Sequence, residues 1–552
     1  MATSVLFVAG LLGLTACSKD PSGTTQLSCA TAPTVQVALP VGGSQEIDAA
    51  CAAFAANASA TDSAVYLVVP QAAGGSPGST ASFILQSTSP VAAAPAAQVS
   101  NVGSPVSTHS AALQFDQQLR AQVPSVSAAT LRARPAPERS TAAPLAGPPA
   151  VGSFRRFYVC ADPNCNTFTY VGAKVVDVGQ HIAIYVDTLA PVGGLDSADI
   201  DTLAQLFDTR IYPVDTTAFG RESDIDNNSV VIALMTPVVN NILPKSQCFT
   251  TGYVTGFFYQ ADLDLTVASL YSDGEVIYTM VADTTDPVCP HARSTVKRLL
   301  FNTFAHELQH MINYNQHMRI NKTGAEQIWL DEALSKYAEE LAARTYLPGD
   351  SASFLKYTLE ELNDAYIYLS APDQHYLIAP TDGDLGSVGA GWLFMRYLVD
   401  QFSGQFPNLT HSLVNTPLIG TSNVTVHTGG NPFSNTAAVW ALANWVSDLP
   451  GFVPTPQDSL ILKYTSWSFR QAFANLHAQD TSGRYPLAFP LVPTPSASGQ
   501  VSLAGTLHSG SGSYVLVKQP PGSGTFTLSF TGPAFAPLPS TLIPRLEVVR
   551  IH

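Results

Sequence analysis

The chain carries little charge, and positive charge is the scarcer sign. Only 12% of its 552 residues are charged, and 26 basic residues stand against 41 acidic ones, for a net charge of −15. Nucleic acids and anionic lipid surfaces are bound through clustered positive charge, so this balance disfavours both as partners. Beyond residue 17 no stretch approaches the length of about 18 apolar residues at which a membrane-spanning helix is expected.

Cysteine is also scarce, and the sequence contains no C-x-x-C pair, which argues against a cysteine-rich zinc site. Of the seven cysteines, six fall into three local couples, and disulfides persist in exported proteins. From proximity alone we predict the disulfides Cys29–Cys51, Cys160–Cys165 and Cys248–Cys289.

The N-terminus has the character of an export signal. Residues 5–14 are apolar or small, but this run is too short for an ordinary membrane anchor. It ends in Leu14-Thr15-Ala16-Cys17, which resembles a bacterial lipobox. We expect residues 1–16 to be a lipoprotein signal peptide and Cys17 to carry lipid, which would tether the protein to the bacterial cell envelope, at the outer membrane or cell surface. The alternative is a plain signal peptide cut near Ala16, which would give a secreted protein.

Changes in composition divide the rest of the chain. Short apolar or alternating runs predict a tether and small β domain in residues 17–87 and a β-sandwich-like domain in residues 490–552. Residues 88–150 are rich in Ala and Pro and are predicted to be a linker or pro-segment with one helix near 111–123. In residues 151–475, β-type runs precede helical ones. Together these patterns predict an α+β fold class, with a β-rich N-lobe and a helical C-lobe in the central domain.

The motif His306-Glu307-Leu308-Gln309-His310 is the most informative feature of the chain. It lies in a stretch without Gly or Pro whose apolar residues repeat every fourth position, which predicts a helix. On a helix the two histidines lie one turn apart and face the same way, so both can ligate one Zn²⁺. Glu307 then lies beside the metal, where it can take a proton from a zinc-bound water.

A catalytic zinc needs a third protein ligand and keeps one open position. The extended pattern with a third histidine fails, because residues 313 and 316 are not the required Gly and His. The remaining option is a carboxylate on a second helix, predicted for residues 329–341. Glu332 lies off the apolar stripe of that helix and is the preferred ligand. Glu339 is the fallback, and Glu326 precedes the helix and is less favoured.

The segment HELQHMINYNQH followed by WLDEALSKYAEEL resembles the gluzincin metallopeptidases, and most closely the hyicolysin family. A looser likeness extends from about residue 152 to residue 449. The resemblance implies a gluzincin-like catalytic domain, with His306, His310 and Glu332 as zinc ligands and Glu307 as general base.

Two positions depart from the pattern of these families. Ala333 stands where the hyicolysin family usually has Gly, and Lys336 stands where thermolysin-like chains have the Asp that orients the first histidine. Another carboxylate must then orient that histidine, and Asp331 and Glu339 are the candidates.

These features predict a zinc endopeptidase that hydrolyses protein or peptide substrates through a water activated by Glu307. The alternative from a different class is a non-catalytic surface binding or adhesion protein with a structural zinc site. Glu307 argues against that alternative, since a structural site needs no base. An aminopeptidase would need a site for a free α-amine, and no motif indicates one.

Two weaker signals favour ordinary structure. Asp224–Asn228 resembles the start of a Ca²⁺ loop, but Ser229 and Met235 replace the Gly and Glu that such a loop requires, so a polar turn is predicted. Several side chains are candidates to stabilise the oxyanion, although each is expected to be an ordinary core or surface residue: Tyr314, Tyr397, His375, His411 and His427.

Overall fold

The computed structural model describes residues 29–30, 32–87, 110–122, 147–381, 383–496 and 500–552. Strands occupy both ends of this region and the part before the motif at residues 306–310, and helices follow the motif. This segregation of strands and helices confirms the predicted α+β class. Cys17, the predicted signal peptide and most of residues 88–150 lie outside the described residues.

The strands have the following bounds: β1 Thr34–Val37, β2 Ser44–Ile47, β3 Cys51–Phe54, β4 Ala64–Ala72, β5 Thr80–Ser87, β6 Phe154–Cys160, β7 Phe168–Val178, β8 Ile182–Asp187, β9 Val231–Met235, β10 Gly256–Phe258, β11 Val276–Thr279, β12 Thr494–Ser496, β13 Ser502–His508, β14 Val515–Gln519, β15 Phe526–Thr531 and β16 Pro544–Arg550.

The α-helices have the following bounds: α1 Ala111–Ala121, α2 Ser197–Leu206, α3 Tyr212–Phe219, α4 Pro237–Asn240, α5 Lys245–Cys248, α6 Arg293–Tyr314, α7 Ile328–Arg344, α8 Ser351–Tyr357, α9 Leu359–Ser370, α10 Leu385–Phe402, α11 Leu409–Val414, α12 Gly420–His427, α13 Phe433–Val446 and α14 Phe469–Gln479.

The two ends of the described chain build one β sandwich. One of its sheets has the strand order β1-β3-β15-β5-β13 and the other β12-β14-β4-β16-β2. Phe54 from the first end stacks on Phe526 from the second, with their ring centroids 4.4 Å apart. The expectation of two separate small β domains, in residues 17–87 and 490–552, is therefore wrong. Each end supplies only some strands of each sheet, and the strand edges that one end leaves unpaired are paired by the other.

A six-stranded mixed sheet, in the order β10-β11-β9-β8-β7-β6, precedes the helical region. Its central strand β9, with the sequence VIALM, is buried along its whole length, as expected for a strand covered on both faces. Strand β10 lies at one edge and pairs antiparallel with β11. Helix α6 packs against β10, so this edge lies beside the predicted site.

Helix α6 forms where the four-residue repeat predicted it. Leu300, Phe304 and Leu308 are almost completely buried, and the helix runs on directly into the π-helical turn Asn315–Ile320. Helix α7 packs against α6. The apolar stripes of the two helices face the core, so their polar faces are free to form a site.

The three predicted disulfides are present: Cys29–Cys51, Cys160–Cys165 and Cys248–Cys289. In the described ranges, none of the helices has the length and apolar character needed to cross a membrane.

Candidate active site

Helices α6 and α7 bring the three predicted metal ligands together. His306 and His310 lie one turn apart on α6, and their Nε2 atoms are separated by 3.1 Å. Glu332, near the start of α7, offers one carboxylate oxygen to each. Its Oε2 lies 3.7 Å from His306 Nε2 and its Oε1 lies 3.6 Å from His310 Nε2. The geometry therefore groups the two histidines with Glu332.

The outer nitrogen of each histidine is held by a carboxylate on α7. His306 Nδ1 lies 2.8 Å from Glu339 Oε1. His310 Nδ1 lies 3.1 Å from Asp331 Oδ2 and 3.1 Å from Ser335 Oγ. A carboxylate only accepts hydrogen bonds, so each Nδ1 carries the proton and each Nε2 presents a lone pair. Asp331 and Glu339 were both candidates to orient one histidine. In the structure each orients a different one, Glu339 contacting His306 and Asp331 contacting His310.

This arrangement fits a metal ion. The two Nε2 atoms lie 3.1 Å apart, and their lone pairs repel each other unless a cation lies between them. Two nitrogens bound to one tetrahedral zinc are expected about 3.3 Å apart, which is close to the observed distance. Glu332 Oε1 is buried and has no hydrogen-bond partner among the described residues. A buried carboxylate oxygen normally has a partner, and a metal ion supplies one. Imidazole and carboxylate donors are also those that zinc takes.

Glu307 lies between the histidine pair and the edge strand β10. Its Oε2 accepts a hydrogen bond from the Phe258 N–H at 2.8 Å, and its side chain is only 5% exposed. Phe258 ends the edge strand β10, whereas its neighbour β11 lies inside the sheet.

Two residues of α1 also reach the site, and the sequence patterns did not predict them. Asp116 joins the two histidines and Glu332 in one group whose ligand atoms all lie within 4.8 Å of one another. Arg120, one turn further along, forms ion pairs at 2.8 Å with both Asp116 and Glu307. The helix itself was predicted, but an acid–base pair at this spacing is equally typical of a solvated helix surface.

The two carboxylates nearest the histidines have opposite pKa shifts. Burial raises the pKa of Asp116, but Arg120 and then His310 outweigh burial and hold that pKa below its ordinary value. Burial, followed by the neighbouring Asp116, raises the pKa of Glu332 well above its ordinary value. Two buried carboxylates this close repel each other when both are ionised, and a divalent cation between them removes the repulsion. The electrostatics thus agree with the metal-binding geometry.

Lys336 stands where thermolysin-like chains have the aspartate that orients the first histidine, and here it supports a different carboxylate, Glu339. Its Nζ lies 3.0 Å from Glu339 Oε1, and Asn302 Nδ2 donates to Glu339 Oε2 at 2.7 Å. Burial raises the pKa of Glu339, but Lys336 and then His306 outweigh burial and hold it below its ordinary value. Glu339 is therefore kept ionised by Lys336 and orients His306 from almost one turn further along the helix.

The less favoured ligand Glu326 is occupied elsewhere. Its Oε1 accepts a hydrogen bond from the Gly420 N–H at 2.6 Å, and its Oε2 accepts one from Asn423 Nδ2 at 2.7 Å. It is not a member of the group formed by the histidines and Glu332. Its carboxylate instead connects the start of α7 to α12.

Of the oxyanion candidates, Tyr314 is the one that lines a small cleft together with His310. Three others have hydrogen-bond partners of their own. Tyr397 donates to the Ile461 carbonyl at 2.8 Å, His375 lies 2.9 Å from Asp384, and His427 lies 2.8 Å from Asn423 Oδ1.

The calcium-like segment forms a polar turn, as predicted. Asp224 accepts a hydrogen bond from the Ser229 N–H at 3.1 Å, and Asp226 forms an ion pair with Arg155 at 2.8 Å. Asp224 and Asp226 also come close to Glu275. The hydrogen bond from Ser229 to Asp224 is local and closes the turn.

Searches against known proteins agree with the chemistry of this site. No protein-family model matches the chain. The chain is similar to the neutral metalloprotease ShpI of Staphylococcus hyicus, with 30% identity over 203 residues. The matched region covers 36% of this chain and 41% of that protein, so the likeness extends over less than half of either. It supports the metallopeptidase part of the resemblance.

Proposed function

We propose that this protein is a zinc endopeptidase, with His306, His310 and Glu332 as metal ligands and Glu307 as general base. The observation that carries the proposal is the pair of Nε2 atoms 3.1 Å apart, each on a ring whose outer nitrogen is held by a carboxylate. Metal-binding histidines are typically oriented in this way. The similarity to a neutral metalloprotease supports the same function.

The chemistry follows from the residues around the two histidines. When bound there, zinc polarises the scissile carbonyl and lowers the pKa of water to about 7. Glu307 accepts the proton of the attacking water and then delivers it to the leaving amine. The Phe258 N–H holds Glu307 Oε2 in place.

The edge of β10 supports the binding of an extended protein segment. Among the described strands, β10 pairs only with β11. The N–H and C=O of Phe258 are instead hydrogen-bonded to the side chains of Glu307 and Arg120. Sheet edges bind extended peptides through main-chain hydrogen bonds. An endopeptidase that holds the middle of a substrate chain fits such an edge.

Metal analysis combined with a peptide assay tests the proposed function. The wild-type chain is expected to hold one zinc, and His306→Ala, His310→Ala and Glu332→Ala are each expected to lose it. If Glu332→Ala keeps full zinc while Glu339→Ala loses it, the third ligand is misassigned. Casein hydrolysis that survives complete chelation would contradict a zinc mechanism. Zinc binding without hydrolysis, in a chain from which the predicted pro-segment has been removed, would favour a non-catalytic protein with a structural zinc.

We also infer that the protein acts in the bacterial cell envelope, tethered by lipid on Cys17. The inference is supported by the lipobox-like residues 14–17 and by three disulfides, which persist in exported proteins. Replacing Cys17 with Ser should release the protein into the soluble fraction. Mass spectrometry that finds Cys17 unmodified, or a mature start elsewhere, would contradict the tether and leave the peptidase proposal untouched.

A further inference from the structure

Helix α1 lies in the region predicted to be a linker or pro-segment, yet it is docked against the edge strand. Its residues Ala111, Phe115 and Leu119 are buried. Phe115 packs edge-on against Phe257 of β10, with ring centroids 5.3 Å apart. The Ala111 N–H donates to the Thr251 carbonyl at 2.7 Å. The apolar face of α1 is therefore packed against the wall of the proposed site.

The docked helix directs a carboxylate at the metal ligands. Asp116 Oδ1 accepts a hydrogen bond from Arg120 at 2.8 Å. Its other oxygen, Oδ2, is buried, lacks a hydrogen-bond partner among the described residues and lies 3.7 Å from His310 Nε2. Glu332 Oε1 is likewise unpartnered. Two imidazole nitrogens and two carboxylates therefore converge, and four donors complete the coordination of a zinc ion.

The same helix occupies the proposed base and the strand edge. Arg120 Nη2 lies 2.8 Å from Glu307 Oε2, and Arg120 Nη1 donates to the Phe258 carbonyl at 2.9 Å. That carbonyl is one to which a substrate N–H would bond in a paired strand. Gln260 Nε2 also donates to the Leu119 carbonyl at 3.2 Å, which extends the contact along the edge.

We propose that Asp116 is a fourth ligand of the zinc and Arg120 the counterion of Glu307, so that α1 holds the enzyme in a latent state. The proposal rests on the zinc endopeptidase function. A catalytic zinc needs one position open for water, and Asp116 fills that position. Arg120 occupies the base, and the helix covers the edge where substrate would lie. Hydrolysis therefore begins only after α1 leaves the site.

The energetics of α1 suit a removable element. It has 11 residues, and helices of this length are marginal in water on their own. Its structure therefore depends on docking, which Asp116 and Arg120 stabilise through buried ion pairs. Removing one member of a buried pair leaves the other charge uncompensated. A single substitution at either position should weaken the docking of the whole helix.

The test compares the full-length wild-type chain with Asp116→Ala, Asp116→Asn and Arg120→Ala, each loaded with Co²⁺ or Zn²⁺. Gln118→Ala is the matched control, because Gln118 is exposed on the same helix. In Asp116→Ala and Asp116→Asn, the visible spectrum of bound Co²⁺ should change and zinc should pass to a competing chelator faster than in wild type. Hydrolysis of a fluorogenic peptide should rise by about 100-fold in Asp116→Ala, because the fourth zinc position is opened, and in Arg120→Ala, because Glu307 loses its counterion. Gln118→Ala should match wild type in every measurement.

Three outcomes would overturn parts of the proposal. Identical Co²⁺ spectra and zinc-transfer rates in wild type and Asp116→Ala would show that Asp116 is not a ligand. The same conclusion would follow if Asp116→Ala no longer unfolds cooperatively and Asp116→Asn stays folded with an unchanged Co²⁺ spectrum. The spectral change in Asp116→Ala would then come from loss of the fold and not from loss of a ligand. A wild-type chain that cleaves peptides as fast as both variants would overturn latency.

The proposed function can fail separately from the ligand assignment. If the Co²⁺ spectrum changes in both Asp116 variants but no variant cleaves any member of a peptide library, Asp116 stands as a ligand and the endopeptidase function is contradicted.

Discussion

Helix α7 carries two buried polar clusters, and they differ in how completely their hydrogen-bonding groups are satisfied. Near the start of the helix, Glu332 faces His306 and His310 at 3.6–3.7 Å. These distances are too long for hydrogen bonds, and Glu332 Oε1 has no partner among the described residues. Lone pairs on the ring nitrogens and on Glu332 therefore remain without a hydrogen-bond donor.

Near the end of the same helix, Glu340 is fully engaged. Its Oε1 accepts hydrogen bonds from Trp467 at 2.7 Å and from Arg344 at 2.7 Å, and its Oε2 accepts one from Trp392 at 3.0 Å. Arg396 lies 3.4 Å from Oε1. Both oxygens of its carboxylate are therefore hydrogen-bonded.

The difference separates structure from function on one helix. A saturated buried network stabilises the packing of the helices around it, whereas buried groups without partners require an explanation such as a bound ion. The cluster at Glu340 needs nothing beyond the chain. The cluster at Glu332 is the one for which we propose a metal ion. The following predictions test this contrast.

The largest effect is expected at Glu307. In the Arg120→Ala background, where the counterion of the base is removed, Glu307→Gln should lower kcat for peptide hydrolysis by about 1,000-fold or more, because the attacking water loses its proton acceptor. Zinc content and the melting temperature should stay the same. A fall of less than tenfold at unchanged zinc content would contradict the role of general base.

At the start of α7, Glu332→Gln should abolish stoichiometric zinc binding, since a neutral amide is a poor replacement for a carboxylate ligand. The stability of the metal-free protein should not fall, because burial and Asp116 already disfavour a charge on Glu332 and the amide carries none. Zinc analysis and urea unfolding of the apo-protein test both statements. Full zinc content in this variant would remove Glu332 from the ligand set.

At the end of α7, the matched substitution Glu340→Gln should have the opposite profile. It should lower the free energy of unfolding by about 2 kcal/mol, because Arg344 and Arg396 both lose a charged acceptor, while Arg396 keeps its ion pair with Asp400 at 3.0 Å. Zinc stoichiometry should remain at the wild-type value. Loss of zinc with unchanged stability would contradict the structural role assigned to Glu340.

A smaller effect is expected at Glu339, which orients His306 without belonging to the ligand group. Glu339→Gln should weaken zinc affinity by about 10- to 100-fold, as is typical when the hydrogen-bond partner of a ligating histidine is lost. Competition with a chelator of known affinity measures the change. An affinity as low as that of Glu332→Gln would instead make Glu339 a ligand.

The smallest effect concerns pH. Burial raises the pKa of Glu340, but Arg396 and Arg344 outweigh burial and hold the pKa below its ordinary value of 4.5. The stabilisation from ionised Glu340 is therefore complete above pH 4.5 and is lost as the pH falls through the lower pKa of the folded state. The difference in unfolding free energy between wild type and Glu340→Gln should shrink below pH 4.5. Urea unfolding at a series of pH values measures it, and a difference that grows as the pH falls would contradict this sign.

The parts of the site that are close in sequence could be predicted from sequence. The spacing of His306, Glu307 and His310 is a property of a single helix turn, and the four-residue apolar repeat shows which face is buried. Glu332 follows from the same logic on the next helix. The disulfides also join cysteines that are near one another in the chain.

The parts that depend on distant pairing could not be predicted. Strand β5 pairs with β13, so that Leu85 lies opposite Leu503, but a short apolar run does not specify which distant strand it will pair with. Asp116 and Arg120 have the spacing of a surface ion pair, and only their docking against the site removes them from solvent. Their role depends on tertiary structure that the local pattern does not contain.

Anomalous X-ray scattering at the zinc absorption edge, from crystals of the zinc-loaded full-length chain, tests the central claim most directly. The account predicts one peak about 2.0–2.1 Å from the Nε2 atoms of His306 and His310 and in contact with the carboxylates of Glu332 and Asp116. A peak at the acidic group of Asp224, Asp226 and Glu275, with none between the two histidines, would contradict it.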